Sequence, residues 1–81
     1  MKARVYVSMK PTVLDPQGQT IRSALNELGH KSIAAVRQGK FFEITIEPGV
    51  NRDQAAAELD QIARDVLANP VIEEYRVELV E

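Results

Sequence analysis

From residue 2 to residue 9 the chain alternates: Ala3, Val5, Val7 and Met9 fall on one side, Lys2, Arg4, Tyr6 and Ser8 on the other. A period of two predicts a strand with one buried face. Lys10-Pro11 ends it, because proline cannot donate to a ladder. Asp15-Pro16 then opens a helix, with Asp as N-cap and Pro at the first helical position. Ile21, Leu25 and Leu28, with Ala24, recur at helical spacing and form an apolar stripe. Gly29 is placed to end that helix in the left-handed conformation.

Residues 32–38 read as a second, weaker strand and residues 41–47 as a stronger third one. In the latter, Phe42, Ile44 and Ile46 alternate with Phe41, Glu43, Thr45 and Glu47. Gly39 between them predicts a tight hairpin with positive φ, exposing Arg37, Gln38 and Lys40 at its tip. Pro48-Gly49 is a turn. Asn51 with Gln54 resembles a capping box, and Ala55, Leu59, Ile62, Ala63, Val66 and Leu67 give the clearest helical face in the chain. Asn69-Pro70 stops that helix, since the residue before a proline is pushed out of the helical region. Residues 71–80 form the last strand, where Tyr75, Val77 and Leu79 alternate with Glu74, Arg76 and Glu78. The order predicts an α+β domain over residues 1–81. It is a βαββαβ, ferredoxin-like arrangement: an antiparallel sheet with two helices on one face. The opposite sheet face is expected to expose Tyr6, Phe41 and Ile72, a candidate oligomer interface.

Composition narrows the function classes. The chain has 81 residues, a net charge of −2, no cysteine and a single histidine, His30. Disulfides and thiolate metal sites are excluded, and a histidine-based metal site has no second ligand of its kind. A core this small often gains stability by self-association. Charges interrupt every long apolar run, so no segment spans a membrane, and the N-terminus carries no apolar signal core. The balanced charge argues against bulk nucleic-acid binding. Tyr6 and Phe41 could form an RNA-stacking platform on this element order, but Glu47, Glu74 and Glu78 would share its face and repel phosphates.

No catalytic constellation emerges. Glu73 and Glu74 point to opposite faces of a strand and cannot act as a carboxylate pair. Ser8, Ser23 and Ser32 have no base partner, and Gly18 and Gly39 do not compose a phosphate loop. The residues alone describe a small α+β module that pairs with something else.

Four blocks taken together go further. Val5-Tyr6-Val7-Ser8-Met9-Lys10-Pro11, Val13-Leu14-Asp15-Pro16-Gln17-Gly18, Val36-Arg37-Gln38-Gly39-Lys40 and Leu67-Ala68-Asn69-Pro70-Val71-Ile72-Glu73-Glu74-Tyr75 resemble the PurS family in wording and order. Thr12 departs from the pattern, where a glycine is common. PurS is the small subunit of phosphoribosylformylglycinamidine synthase, in purine biosynthesis. The resemblance implies an assembly in which a glutaminase subunit releases ammonia. A synthetase subunit, using ATP and Mg, phosphorylates the amide oxygen of formylglycinamide ribonucleotide, and ammonia displaces the phosphate. It implies a cytoplasmic, bridging subunit without bound cofactor or catalytic residues, and a homodimer or tetramer. It makes Arg37, Gln38, Gly39, Lys40, Asn69 and Pro70 candidates for partner binding. Two other readings share the predicted element order: a ligand-sensing regulatory module, and the RNA-binding module. The loop after the first strand, Pro-Thr-Val-Leu-Asp-Pro, is not the glycine-rich ligand loop that the regulatory reading needs.

Overall fold

β1 runs over Lys2–Met9 in the middle of the sheet, and its alternation is realised: Ala3, Val5 and Val7 are buried. This is a computed structural model in which residues 1–80 are described. On one side β1 pairs antiparallel with β2 (Gly39–Thr45), and on the other with β3 (Glu73–Val80). The order β2-β1-β3 makes a three-stranded antiparallel sheet. Two helices complete the chain, α1 (Pro16–Glu27) and α2 (Arg52–Ile62), in the order β-α-β-α-β. The α+β class with an antiparallel sheet and two helices therefore holds.

The fourth strand expected at 32–38 is not formed. The main chain there is engaged by side chains and close packing instead of a ladder. Gln38 N–H donates to Asp15 Oδ2 at 2.9 Å. Gly18 of α1 lies so close to Val36 that a Cβ on it would sit 2.1 Å from the Val36 carbonyl oxygen. Partial burial falls on Ile33 and Val36, three apart, while Ala34 and Ala35 are exposed, so the period of two is broken. The hairpin and its tip disappear with the strand. Gly39 is no positive-φ turn residue; it is the first residue of β2, opposite Ser8. It is glycine for close approach, since a Cβ would stand 2.5 Å from Val7 O.

The helix ends follow the sequence. Asp15 caps α1 by accepting from Gly18 N–H at 3.0 Å, with Pro16 at the first position. Gly29 has φ 103° and lets His30 N–H reach back to Leu25 O at 2.9 Å. Asn51 Oδ1 accepts from Asp53 and Gln54 N–H at 2.8 and 3.3 Å, the first half of the expected box. α2 does not continue regularly to Leu67. Ala63–Leu67 widens into a π turn, closed by Ala68 N–H on Ala63 O five residues back. Asn69–Pro70 follows, and β3 begins at Glu73 rather than Val71 because Ile72 and Glu73 N–H both turn back to Asn69 O.

The core lies between the sheet and the α2–π segment. Val5, Val7, Ala63 and Ala68 are buried together, with Phe42, Ile44, Leu67, Tyr75 and Val77 packed against them. Leu59 and Ala55 of α2 are also buried. α1 has no broad packing against any strand or against α2. The chain is consequently elongated, 51 × 27 × 14 Å.

Candidate functional site

The two blocks singled out as partner-binding candidates, 37–40 and 69–70, are brought together at one end of the sheet, around Lys10. The Arg37 guanidinium donates to three carbonyls: Nη2 to Met9 O at 3.1 Å and Lys10 O at 2.8 Å, and Nη1 to Val13 O at 3.2 Å. Lys10 Nζ donates to Pro70 O at 2.8 Å, and Lys10 N–H to Ile72 O at 2.9 Å. The loop after β1, the lead-in to β2 and the turn before β3 thus form one surface.

Within it the candidates divide by what they do. Arg37 is exposed but its charge is committed to the main chain of the 9–13 segment. Asn69 builds its own turn: its side-chain oxygen accepts from Val71 N–H at 3.0 Å, and its N–H donates to Glu73 Oε1 at 2.7 Å. Gly39 holds strand register. The Gln38 side chain, Lys40 and Pro70 are exposed, and Lys40 Nζ stands 5.7 Å from the Phe42 ring centre. Leu14 and Val71 also lie open here, 64% and 77% exposed.

Asp15, read from the sequence only as a helix cap, ties this surface together. It is 6% exposed and accepts from Gly18 N–H on α1 and from Gln38 N–H on the lead-in to β2. Those main-chain donors, Gln38 first, and the Arg37 charge hold its carboxyl below the usual value. The sequence signal for this role is slight: an aspartate can cap with one oxygen and leave the other free for a distant N–H. Lys10 was likewise readable only as the end of a strand.

The open face of the sheet is the second surface. Tyr6 and Phe41 sit opposite one another in register and stack, with ring centres 6.0 Å apart and planes 29° from parallel. Across β1 the third member of the row is Arg76, whose Cζ lies 4.4 Å from the Tyr6 ring centre. Ile72 does not join Tyr6 and Phe41. It precedes β3, four residues from Arg76 and therefore about 13 Å along the strand direction. The expected Tyr-Phe pair is present, but its neighbour is a cation. Lys2–Glu43 at 3.7 Å and Arg76–Glu78 at 3.3 Å add mixed charge to the sheet. Among the described residues no group of His, Cys, Asp and Glu is placed to hold a metal ion, and no helix is long and apolar enough to cross a membrane.

Residues 2–81 match the family model described as PurS, phosphoribosylformylglycinamidine (FGAM) synthase. The chain belongs to the PurS family. It is 46% identical over 76 residues to the synthase subunit PurS of Mycobacterium leprae, covering 94% of this chain and 91% of the relative. It is 42% identical over 80 residues to that of Bacillus subtilis, covering 99% and 93%. The solved B. subtilis PurS superposes with a TM-score of 0.83 at 41% identity, over 99% of this chain and 98% of that one. A chain of the solved PurLQS structure from Thermotoga maritima gives 0.85 at 31% identity, over 95% and 93%. PurS is a subunit of an ATP-dependent ligase complex in purine biosynthesis, and membership extends along the described fold, not to one motif.

Proposed function

We propose that this chain is a non-catalytic bridging subunit of phosphoribosylformylglycinamidine synthase. It holds a glutaminase subunit against an ATP-dependent synthetase subunit and secures ammonia transfer between them. What carries the reading is the likeness to a chain of the PurLQS structure along nearly its whole length. Glutamine is hydrolysed to glutamate and ammonia on the first partner. On the second, ATP and Mg phosphorylate the amide oxygen of formylglycinamide ribonucleotide. Ammonia attacks the activated carbon and phosphate leaves, giving the amidine. Free ammonia near neutral pH is mostly ammonium, which is no nucleophile, so fixed geometry between the sites preserves the reactive form. The chain itself binds no cofactor in this reading and works in the cytoplasm as a homodimer or tetramer.

The partner-facing surface in this proposal is the sheet end around Lys10, with the Gln38 side chain, Lys40 and Pro70 pointing outward beside Leu14 and Val71. Arg37, Gly39 and Asn69 shape it from within. The stacked Tyr6–Phe41 face is the proposed contact between copies. The test is co-purification with candidate glutaminase and synthetase subunits, with glutamine and nucleotide present and absent, followed by assay. Complex formation with glutamine-dependent amidine synthesis supports the role. Glutaminase, ATPase or amidotransferase turnover by the isolated chain, abolished by a point substitution in it, overturns it.

A further inference from the structure

Between α1 and the chain that leads into β2 lies an open groove of about 420 Å³. It is lined by Thr12 and Leu14 from the loop after β1, Gln19 and Arg22 from α1, and Ala35 and Arg37 from the lead-in to β2. It does not lie along the apolar stripe of α1. Ile21 lines a separate hollow, with Pro16, Thr20 and Gln38.

The lead-in offers main chain that the fold does not use. The N–H and carbonyl groups of Ala34 and Ala35 make no hydrogen bond to any described residue, and both residues are exposed. A surface loop ordinarily gives such groups to water and moves. This one is pinned on either side of the pair. Ile33 N–H donates to His30 O, and Ile33 O accepts from Arg22 Nε, both at 3.4 Å. Val36 lies against Gly18 so closely that no side chain fits between, and Gln38 N–H is held by Asp15 Oδ2 at 2.9 Å. Main chain that is open, already positioned and flanked by methyl groups suits an incoming extended segment. The segment's own main chain supplies the missing partners, and little ordering of the groove is needed.

The charge of the groove says what that segment carries. Arg22 and Arg37 bring two guanidinium groups to it, and neither is in an ion pair with a described residue. Arg22 spends only Nε, on Ile33 O, so both of its terminal nitrogens remain for a carboxylate. Asp15 is the one acid in the lining, and its two oxygens already accept from Gly18 and Gln38 N–H.

We propose that this groove receives an extended, acidic segment of an enzyme subunit of the synthase, its main chain pairing with Ala34 and Ala35 and its carboxylate held by Arg22. The inference rests on the bridging role. It extends the docking surface around Lys10, with which the groove shares Leu14 and Arg37. Amide hydrogen exchange tests it, on this chain alone and with the glutaminase and synthetase subunits, glutamine and nucleotide added. The Ala34 and Ala35 amides are expected to exchange rapidly in the free chain, dilute or concentrated, and at least about tenfold more slowly in the complex. Arg22→Glu should weaken retention of the bound subunit about tenfold or more, and Arg22→Lys much less. Ala35→Trp fills the groove from an exposed position. It should weaken retention too, with no change in the urea midpoint of the free chain. Protection that appears on concentrating the chain by itself would give the groove to a second copy and overturn the proposal. A complex in which these amides still exchange rapidly, or which Arg22→Glu and Ala35→Trp leave intact, would overturn it while the bridging role stands. Failure of the chain to bind either subunit would overturn both.

Discussion

Arg37 illustrates how far a side chain's role depends on where the backbone goes. At a hairpin tip it would be a solvated cation; beside a loop it becomes a cross-link, because a planar guanidinium can serve several carbonyls at once. Arg37→Ala is expected to destabilise the fold by about 1–3 kcal/mol. Arg37→Lys should recover only part of that, since one ammonium cannot span the carbonyls of Met9, Lys10 and Val13. Urea midpoints of the variants check this. Asp15 makes a pH prediction. Its folded pKa lies below the ordinary 3.8, through the Gln38 and Gly18 N–H groups and the Arg37 charge. The stability it contributes is therefore fully present above that value and is lost as pH falls through the lowered one. Acid titration of the urea midpoint should show a loss below pH 3.8 that Asp15→Asn lacks. An unchanged acid limb in Asp15→Asn would mean that the bridge contributes nothing.

At the scale of elements, what was legible was what local chemistry decides. β1, the Asp15-Pro16 start of α1, the Gly29 stop and the Asn51 cap of α2 are each written in residues within a turn or two of one another. Residues 32–38 were misread because their conformation is set from outside. A carboxylate oxygen 23 residues away takes the Gln38 N–H, and a helix glycine packs on Val36. The α1 stripe was read correctly as apolar, yet periodicity alone cannot say which surface covers it. The two helices are therefore expected to respond differently to truncation. Leu59→Ala removes a buried side chain under the sheet and should cost roughly 2–5 kcal/mol. Leu28→Ala removes one that is mostly in water, so in dilute chains its cost should stay within about 0.5 kcal/mol. Thermal or urea melts at low concentration compare the two.

At the scale of the molecule, the family was legible in four separated blocks, but the surface those blocks build was not. They are distant in sequence and meet only because β1 is central and its end receives both the 37–40 and the 69–72 segments. This separates assembly from folding within one block. Gln38→Ala/Lys40→Ala removes the outward side chains and leaves the Gln38 N–H, Arg37 and Asp15 in place. Its urea midpoint should shift by no more than about 0.5 kcal/mol, and self-association should persist. Retention of the glutaminase or synthetase subunit should fall, and glutamine-dependent amidine formation with it. Activity driven by added ammonium salt should fall less, because external ammonia bypasses the transfer between subunits. Arg37→Ala, by contrast, should depress stability and both activities together, since it loosens the surface as a whole. If the double variant assembles and transfers ammonia normally, the outward residues of this block are not the docking contacts. The open apolar pair, Leu14 and Val71, is then the part of the same surface to test next.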